Sequence, residues 1–262
     1  MTALQAKVIL LTGASSGIGA ALAVELANRG AKLALVARSA DKLHAVAANC
    51  PGSLVLPYDI TEPDIPVLLV EQTVNHFGHL DTLINNAGQS MLGRFDALTD
   101  LSIFERLMAL NFYAVVRCTH AALPHLKASR GLVVTVSSLA GKTGVPLRTG
   151  YSASKHAVQG FMDSLRIELR DSGVDVCMIS PGFVDTSIRE HSLGPDGQPL
   201  GRNPMHGKRM MSAEEAARRI ADAVAQRRRE VLMTPRGKLL PLGRLLWPDL
   251  VDRLAKRSAE HE

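Results

Sequence analysis

Lys7-Val8-Ile9-Leu10-Leu11-Thr12-Gly13-Ala14-Ser15-Ser16-Gly17-Ile18-Gly19 is a short apolar run that opens directly into a turn with three glycines. A Val/Ile/Leu segment bounded in this way reads as a strand buried on both faces. Helical periodicity follows to about residue 29, where Gly30 closes the segment; glycine accepts the left-handed conformation in which helices commonly end. A strand, a glycine turn and a helix in that order present backbone N–H groups with no Cβ in the way, beside a helix N-terminus. The turn therefore suits a phosphate-bearing ligand, with Ser15 and Ser16 as additional hydroxyl donors. Its spacing, at Gly13, Gly17 and Gly19, differs from the commoner Gly-x-Gly-x-x-Gly fingerprint.

The same alternation continues outward. Strands are predicted over 32–37, 54–56, 80–84, 131–138, 174–179 and 231–234, and helices over 41–48, 64–77, 101–123 and 151–170. A last helix is predicted from Ser212-Ala213-Glu214-Glu215, a capping-box pattern, to about 227. Alternating strands and helices with right-handed crossovers give an α/β fold, one doubly wound parallel sheet with helices on both faces. With 262 residues, 46% of them apolar, the chain can bury a large core in a single domain. That domain is expected over 1–235, with a glycine- and proline-rich substrate loop at 187–211 and an amphipathic extension at 236–262. His191, Leu193, Met205 and Met210 suggest an apolar, adaptable lid.

Two helices carry more apolar surface than the sheet requires. In 101–123, Leu101, Ile103, Phe104, Leu107, Met108, Leu110, Phe112, Val115 and Val116 cover over half the circumference, which implies a second buried face and a partner subunit, hence a homodimer or homotetramer. In the extension, Trp247, Leu250, Val251 and Leu254 recur at helical spacing among Arg244, Arg253, Lys256 and Arg257. Two roles are open for it: docking on the body or a neighbouring subunit, or peripheral contact with an anionic membrane.

Composition excludes other classes. The net charge of +5, from 30 basic and 25 acidic residues, is dispersed and forms no aromatic-interleaved stripe, so nucleic acid is not expected. Cys50, Cys118 and Cys177 are odd in number without paired spacing, which argues against a disulfide framework or a zinc site and for a reducing compartment. Only six residues precede the first apolar run and no run reaches membrane-spanning length, so the expected location is the cytoplasm.

Two further features carry chemistry. Tyr151 and Lys155 are four residues apart at the start of a predicted helix, so phenol and ammonium share a face and the cation is expected to lower the phenol pKa, making the pair able to move a proton. At the end of the second strand an acidic residue would bind a free ribose 2′-hydroxyl, whereas a basic one would pair with a 2′-phosphate. Arg38 stands there, with no acid until Asp41; NADP(H) is expected over NAD(H).

Together, Thr12-Gly13-x-x-x-Gly17-Ile18-Gly19, Asn85-Asn86-Ala87-Gly88, Asn111, Ser138, Tyr151-x-x-x-Lys155 and Pro181-Gly182 resemble the short-chain dehydrogenase/reductase family in order and spacing, over about residues 7 to 235. Residues Val136 to Lys142 are similar to its hydroxysteroid dehydrogenase-related branch. The resemblance implies a Rossmann-type fold and hydride transfer between a nicotinamide cofactor and a small, lipophilic carbonyl or alcohol substrate. It implies that Tyr151 is the general acid or base, that Lys155 lowers its pKa and holds the nicotinamide ribose, and that Ser138 hydrogen-bonds the substrate oxygen. Ser137 is the competing serine, and neighbours on a strand face opposite sides. Asn111 would support a water-linked relay to Lys155. Asp59 and Ile60 would flank the adenine, and Asn86, Ala87 and Gly88 would shape the cofactor floor. Pro181, Gly182, Val184 and Thr186 would approach the nicotinamide. The competing reading is a catalytically silent, dinucleotide-sensing regulatory or scaffold protein; an epimerase or dehydratase is the variant within enzymes.

Overall fold

In the computed structural model, residues 3–202, 210–234, 237 and 243–259 are described. Seven strands form one parallel sheet in the order β3-β2-β1-β4-β5-β6-β7. They are β1 Val8–Thr12, β2 Lys32–Val36, β3 Leu54–Leu56, β4 Thr82–Asn85, β5 Leu132–Val136, β6 Asp175–Ser180 and β7 Glu230–Leu232. Chain order reverses beside β1, which pairs with both β2 and β4. That reversal leaves a crevice at the strand ends, the usual place for a ligand in such sheets.

Strand alternation divides the core in two. Ile9, Leu11, Leu33 and Leu35 face α1 (Gly17–Asn28), α2 (Ala40–Ala47) and α7 (Ala213–Ala225), whereas Val8, Leu10, Ala34 and Val36 face α3 (Ile65–Phe77), α5 (Ala114–Ser129) and α6 (Thr149–Glu168). Both faces of every central strand are thus covered, which is why the strands read as continuous apolar runs. The cap signals hold as well: Ser212 Oγ accepts from the Glu215 amide at 3.1 Å, and Gly78 ends α3 at φ 88°.

The long helix predicted over 101–123 differs. It is α4 (Ser102–Met108), a π-helical turn (Ala109–Tyr113) and α5, which runs through Pro124 to Ser129. Ala122 and Leu126 are fully buried, so packing of the last turns outweighs the hydrogen bond that proline forfeits. The π turn inserts an extra residue and re-aims the apolar face. Ile103 and Leu107 join a third cluster with Met91, Ala140, Tyr151 and Leu193, while α5 covers the sheet side. The second buried face is therefore occupied by α6 of the same chain, and apolar width alone does not demand a partner.

Two other expectations change. Leu193 does not line the cleft: it is buried and bridges to Met91 and Pro199. Met205 and the expected domain end at Pro235 lie outside the described residues. The final helix, Pro248–Ala259, does not bury its stripe on the body; Trp247, Leu250 and Leu254 are all more than half exposed. No helix among the described residues is long and apolar enough to cross a membrane.

Candidate active site

At the upper edge of the sheet the turn after β1 is locked to the turn after β4. Thr12 Oγ1 accepts from the Asn86 amide at 3.0 Å and the Ala87 amide at 3.2 Å. In return, Asn86 Nδ2 donates to the Thr12 carbonyl at 3.0 Å and the Gly13 carbonyl at 3.2 Å. This closeness dictates glycine. A Cβ on Gly13, whose φ is +68°, would lie 2.7 Å from Ala87 Cα, and one on Gly19 would lie 2.0 Å from the Gly13 carbonyl oxygen. Ser16 at the N-cap of α1 makes no side-chain capping bond, and the first turn holds no acidic residue. The amides at this helix start thus keep their donors for an anion.

From this turn a cleft of about 760 Å³ runs along the strand ends. Gly13 and Ser15 to Gly19 line one end with Arg38, Asp59 and Ile60; Asn86, Ala87 and Gly88 form the middle; Ser138, Tyr151, Lys155, Pro181, Gly182, Val184 and Thr186 line the other end. Every residue expected at the site reaches it except Asn111. Arg38, largely exposed, stands 3.7 Å from the Asp59 carboxylate, whose other oxygen accepts from the Thr61 amide and hydroxyl.

At the far end, α6 begins at Thr149, two residues before the expected start, so Tyr151 sits within its first turn. Ser138 caps a short 3-10 turn, Leu139–Gly141, by accepting from the Ala140 amide at 3.2 Å, and its hydroxyl lies close enough to Tyr151 to act on the phenol. Ser137 does not compete. It is buried beside Gly141, where a Cβ would approach its Oγ to 2.9 Å. Lys155 is buried, donates to the Val136 carbonyl at 3.2 Å and lies 5.7 Å from the Tyr151 ring centre. Burial pulls its pKa down to about 8.

The phenol corrects an expectation. Burial raises the Tyr151 pKa above the ordinary value; the Ser138 hydroxyl, then the charges of Arg148 and Arg189, pull the other way without reversing it. Lys155 is not among the groups lowering it: with its own pKa pulled down to about 8, it has lost its charge before the phenol titrates. Asn111, in the π turn, is placed behind the cleft wall. Its Oδ1 accepts from the Gln89 amide at 3.0 Å, and its Nδ2 donates to the Gln89 carbonyl and Ser154 Oγ, both at 2.9 Å.

A family model described as short chain dehydrogenase matches residues 7–194. The chain belongs to the short-chain dehydrogenase family. Among its relatives, a Dictyostelium discoideum "Dehydrogenase/reductase SDR family protein 7-like" is 36% identical, covering 97% of this chain and 82% of the relative. An Arabidopsis thaliana "11-beta-hydroxysteroid dehydrogenase 1A" is 34% identical over 95% of this chain and 74% of its own length. A solved short chain dehydrogenase/reductase from Burkholderia phymatum, in complex with NAD, superposes with a TM-score of 0.81 at 25% identity, covering 95% of this chain and 96% of the other.

As a member of that family the chain is an oxidoreductase that binds a nicotinamide dinucleotide, and its residues fit such a group. The Cβ-free cradle at Gly13 and Gly19 admits a pyrophosphate close to the backbone. Several residues that line the cleft were not singled out from the sequence: Lys42 at the Arg38 end, and Arg148, Phe183 and Arg189 along the rest. Arg148, one helical turn before Tyr151, was legible by spacing; Arg189 lies in irregular chain, where periodicity says nothing.

Proposed function

We propose that this dehydrogenase is NADP(H)-dependent and interconverts a carbonyl compound and its alcohol, with Tyr151 as general acid in reduction and general base in oxidation. The observation that carries the reading is the meeting of Ser138, Tyr151 and buried Lys155 at one end of a cleft whose other end is the glycine turn and Arg38. When bound, the dinucleotide supplies or accepts the hydride. The chain handles the proton. Tyr151 gives its phenolic proton to the substrate oxygen, and the Ser138 hydroxyl donates to that oxygen as charge develops. Because burial disfavours the free phenolate, Tyr151 keeps its proton until a neighbouring oxygen becomes basic. Lys155 holds the ribose side and supplies a cation against the tyrosine ring.

Asn111 acts by position: it ties Gln89 to Ser154, and so fixes the floor after β4 against α6. Arg38, with Lys42 beside it, pairs with the 2′-phosphate of NADP(H). Asp59 and Ile60 flank the adenine, and Pro181, Gly182, Val184 and Thr186 meet the nicotinamide. Leu139, Val145, Phe183 and Ile188 make the substrate end apolar, which favours a substrate with a lipophilic body, in keeping with the hydroxysteroid name of one relative. A panel of ketones, aldehydes, steroids and alcohols, followed by nicotinamide absorbance with both cofactors, tests the reading. Tyr151→Phe is expected to lose nearly all turnover while keeping NADPH binding; turnover close to the wild-type rate in that variant refutes the proton-donor role.

The protein is further proposed to work in the cytoplasm as a homodimer or homotetramer. Exposed Phe95, Leu101 and Tyr113 beside α4 and α5 support association, and a monomer in sedimentation at micromolar concentration overturns it. The exposed Trp247, Leu250 and Leu254, with Arg253, Lys256 and Arg257 on the same helix, favour peripheral contact with an anionic membrane over docking on the body. Liposome co-sedimentation of full-length and tail-deleted protein tests that.

A further inference from the structure

Tyr151 is carried by a helix start that breaks the usual rule. The first amides of a helix have no partner within it, and Ser, Thr, Asp or Asn at the N-cap normally takes one of them. Arg148 fills that place in α6 without a side-chain capping bond, and the first turn holds no acidic residue. The residue before it, Leu147, has φ +64°, a conformation that a bulky side chain adopts only at a cost. The local sequence thus supplies no side-chain cap for the turn that presents Tyr151.

The support comes from another part of the chain. Ser90 to Gly93, which follows the stretch Asn86 to Gln89 that lines the cleft, runs beside this turn and bonds to it. The Gly150 amide donates to Met91 Sδ at 3.2 Å, Arg148 Nη1 donates to Ser90 Oγ at 3.3 Å, and the Gly93 amide donates to the Leu147 carbonyl at 2.8 Å. A thioether is a weak acceptor, and here it takes a helix amide that an oxygen ordinarily takes. Gly150 permits the approach: a Cβ there would lie 3.1 Å from Met91 Sδ and 3.1 Å from Phe104 Cδ1. The other edge of the segment is anchored in turn. The Leu92 amide donates to the Leu193 carbonyl, and the Leu193 amide to the Ser90 carbonyl, both at 2.9 Å. Ser90, Met91 and Leu193 are all buried, which shields these bonds from water. Met91 packs in one cluster with Tyr151, Ile103 and Leu107, yet it does not line the cleft. It therefore reaches the chemistry only through α6.

We infer that Ser90 and Met91 are positioning residues for Tyr151: through Arg148 and Gly150 they set where the first turn of α6 presents the phenol to the substrate oxygen. This rests on the oxidoreductase reading above. Proton transfer needs donor and acceptor within hydrogen-bond reach, and a displacement of about 1 Å can cost about 10²-fold in rate. Lys155, one turn further along α6, has its own anchor in the Val136 carbonyl. Loss of the clamp therefore moves the phenol and leaves the ammonium, with the ribose it holds, in place.

The test is Met91→Leu, which keeps the volume and removes the acceptor sulfur, assayed with NADPH and whichever carbonyl of the panel above wild type reduces. The value of kcat is expected to fall by about tenfold, with the KM for NADPH unchanged. The solvent deuterium isotope effect on kcat is expected to rise, because proton delivery becomes the slow part. Ser90→Ala is expected to act in the same direction by about threefold, with recovery in Ser90→Thr. Ile103→Val trims the same apolar cluster without touching the bonds to α6, and is expected to leave kcat close to wild type. An equal fall in Ile103→Val assigns the effect to packing and overturns the inference, as does a wild-type kcat in Met91→Leu. A second arm needs no turnover: NMR of protein labelled with 13Cζ-tyrosine, the Tyr151 resonance being identified by its loss in Tyr151→Phe. Met91→Leu is expected to move that resonance and to leave those of Tyr58 and Tyr113 in place; an unmoved Tyr151 resonance overturns the inference. A moved resonance in a protein whose wild type reduces no carbonyl of the panel refutes the oxidoreductase reading and leaves the positioning of the phenol standing.

Discussion

At the lower edge of the sheet, where strands begin, charges are neutralised in place. Asp81, just before β4, accepts from Lys7 Nζ at 2.8 Å and from the Val8 amide at 2.9 Å, and meets His79 Nε2 at 2.9 Å. Arg227 pairs with Asp175 and donates to the carbonyls of Arg130 and Gly131 at 3.0 and 2.8 Å, satisfying the end of α5. At the upper edge, where strands end, Arg148, Lys155 and Arg189 are buried along the end of the cleft that holds Tyr151. The same sheet thus uses charge to stabilise at one edge and holds a desolvated ammonium, that of Lys155, at the other. Substitutions at the two edges should therefore fail in opposite ways.

The largest effect is expected from Tyr151→Phe, which should cost roughly 10²- to 10⁴-fold in turnover with a melting temperature close to wild type, read by steady-state kinetics beside a thermal melt. Lys155→Met should instead separate activity from stability. The folded pKa of Lys155, about 8, lies below the ordinary lysine value of 10.5, so the buried ammonium costs folding free energy below pH 8, and the cost fades as pH rises toward 10.5. The gap corresponds to about 3 kcal/mol. Lys155→Met is expected to be inactive yet more stable than wild type at pH 7, with the advantage closing by about pH 10 in paired thermal melts.

Asp81→Asn should do the reverse, losing about 1 to 2 kcal/mol of stability with kcat/KM unchanged. Burial pushes the Asp81 pKa up, but the Lys7 ammonium, the Val8 amide and His79 together bring it below the ordinary value. Its contribution is present above the unfolded pKa and lost as pH falls through the lowered folded one, so wild type and variant should converge in acid, below about pH 4. Denaturant titrations across pH check this. The smallest effect is expected from Arg38→Ala, about tenfold in the NADPH-to-NADH preference, because the side chain is largely exposed and Lys42 lines the same end. An unchanged preference removes Arg38 from cofactor choice.

Features with local causes were the ones legible in the sequence. The glycine turn and the capping box at Ser212 could be read because each is a local rule with a local cause. The apolar surface of 101–123 could not be apportioned, because an inserted π residue turns one buried face toward α6. The effect of Lys155 on Tyr151 was misjudged from spacing alone, since their separation along the helix says nothing of burial depth.

By itself, the sequence determined the parallel α/β sheet, the cradle of Gly13, Gly17 and Gly19, and the pairing of Tyr151 with Lys155. Backbone sterics, strand burial and helix period act over a few residues and leave their mark in order and spacing. Only the tertiary structure decided that Ser138 and not Ser137 meets the phenol, that Asn111 stands behind the wall, and that Arg148 and Arg189 converge from separate segments on one end of the cleft. Those outcomes depend on desolvation and on contacts between residues far apart in the chain, where local pattern carries no information.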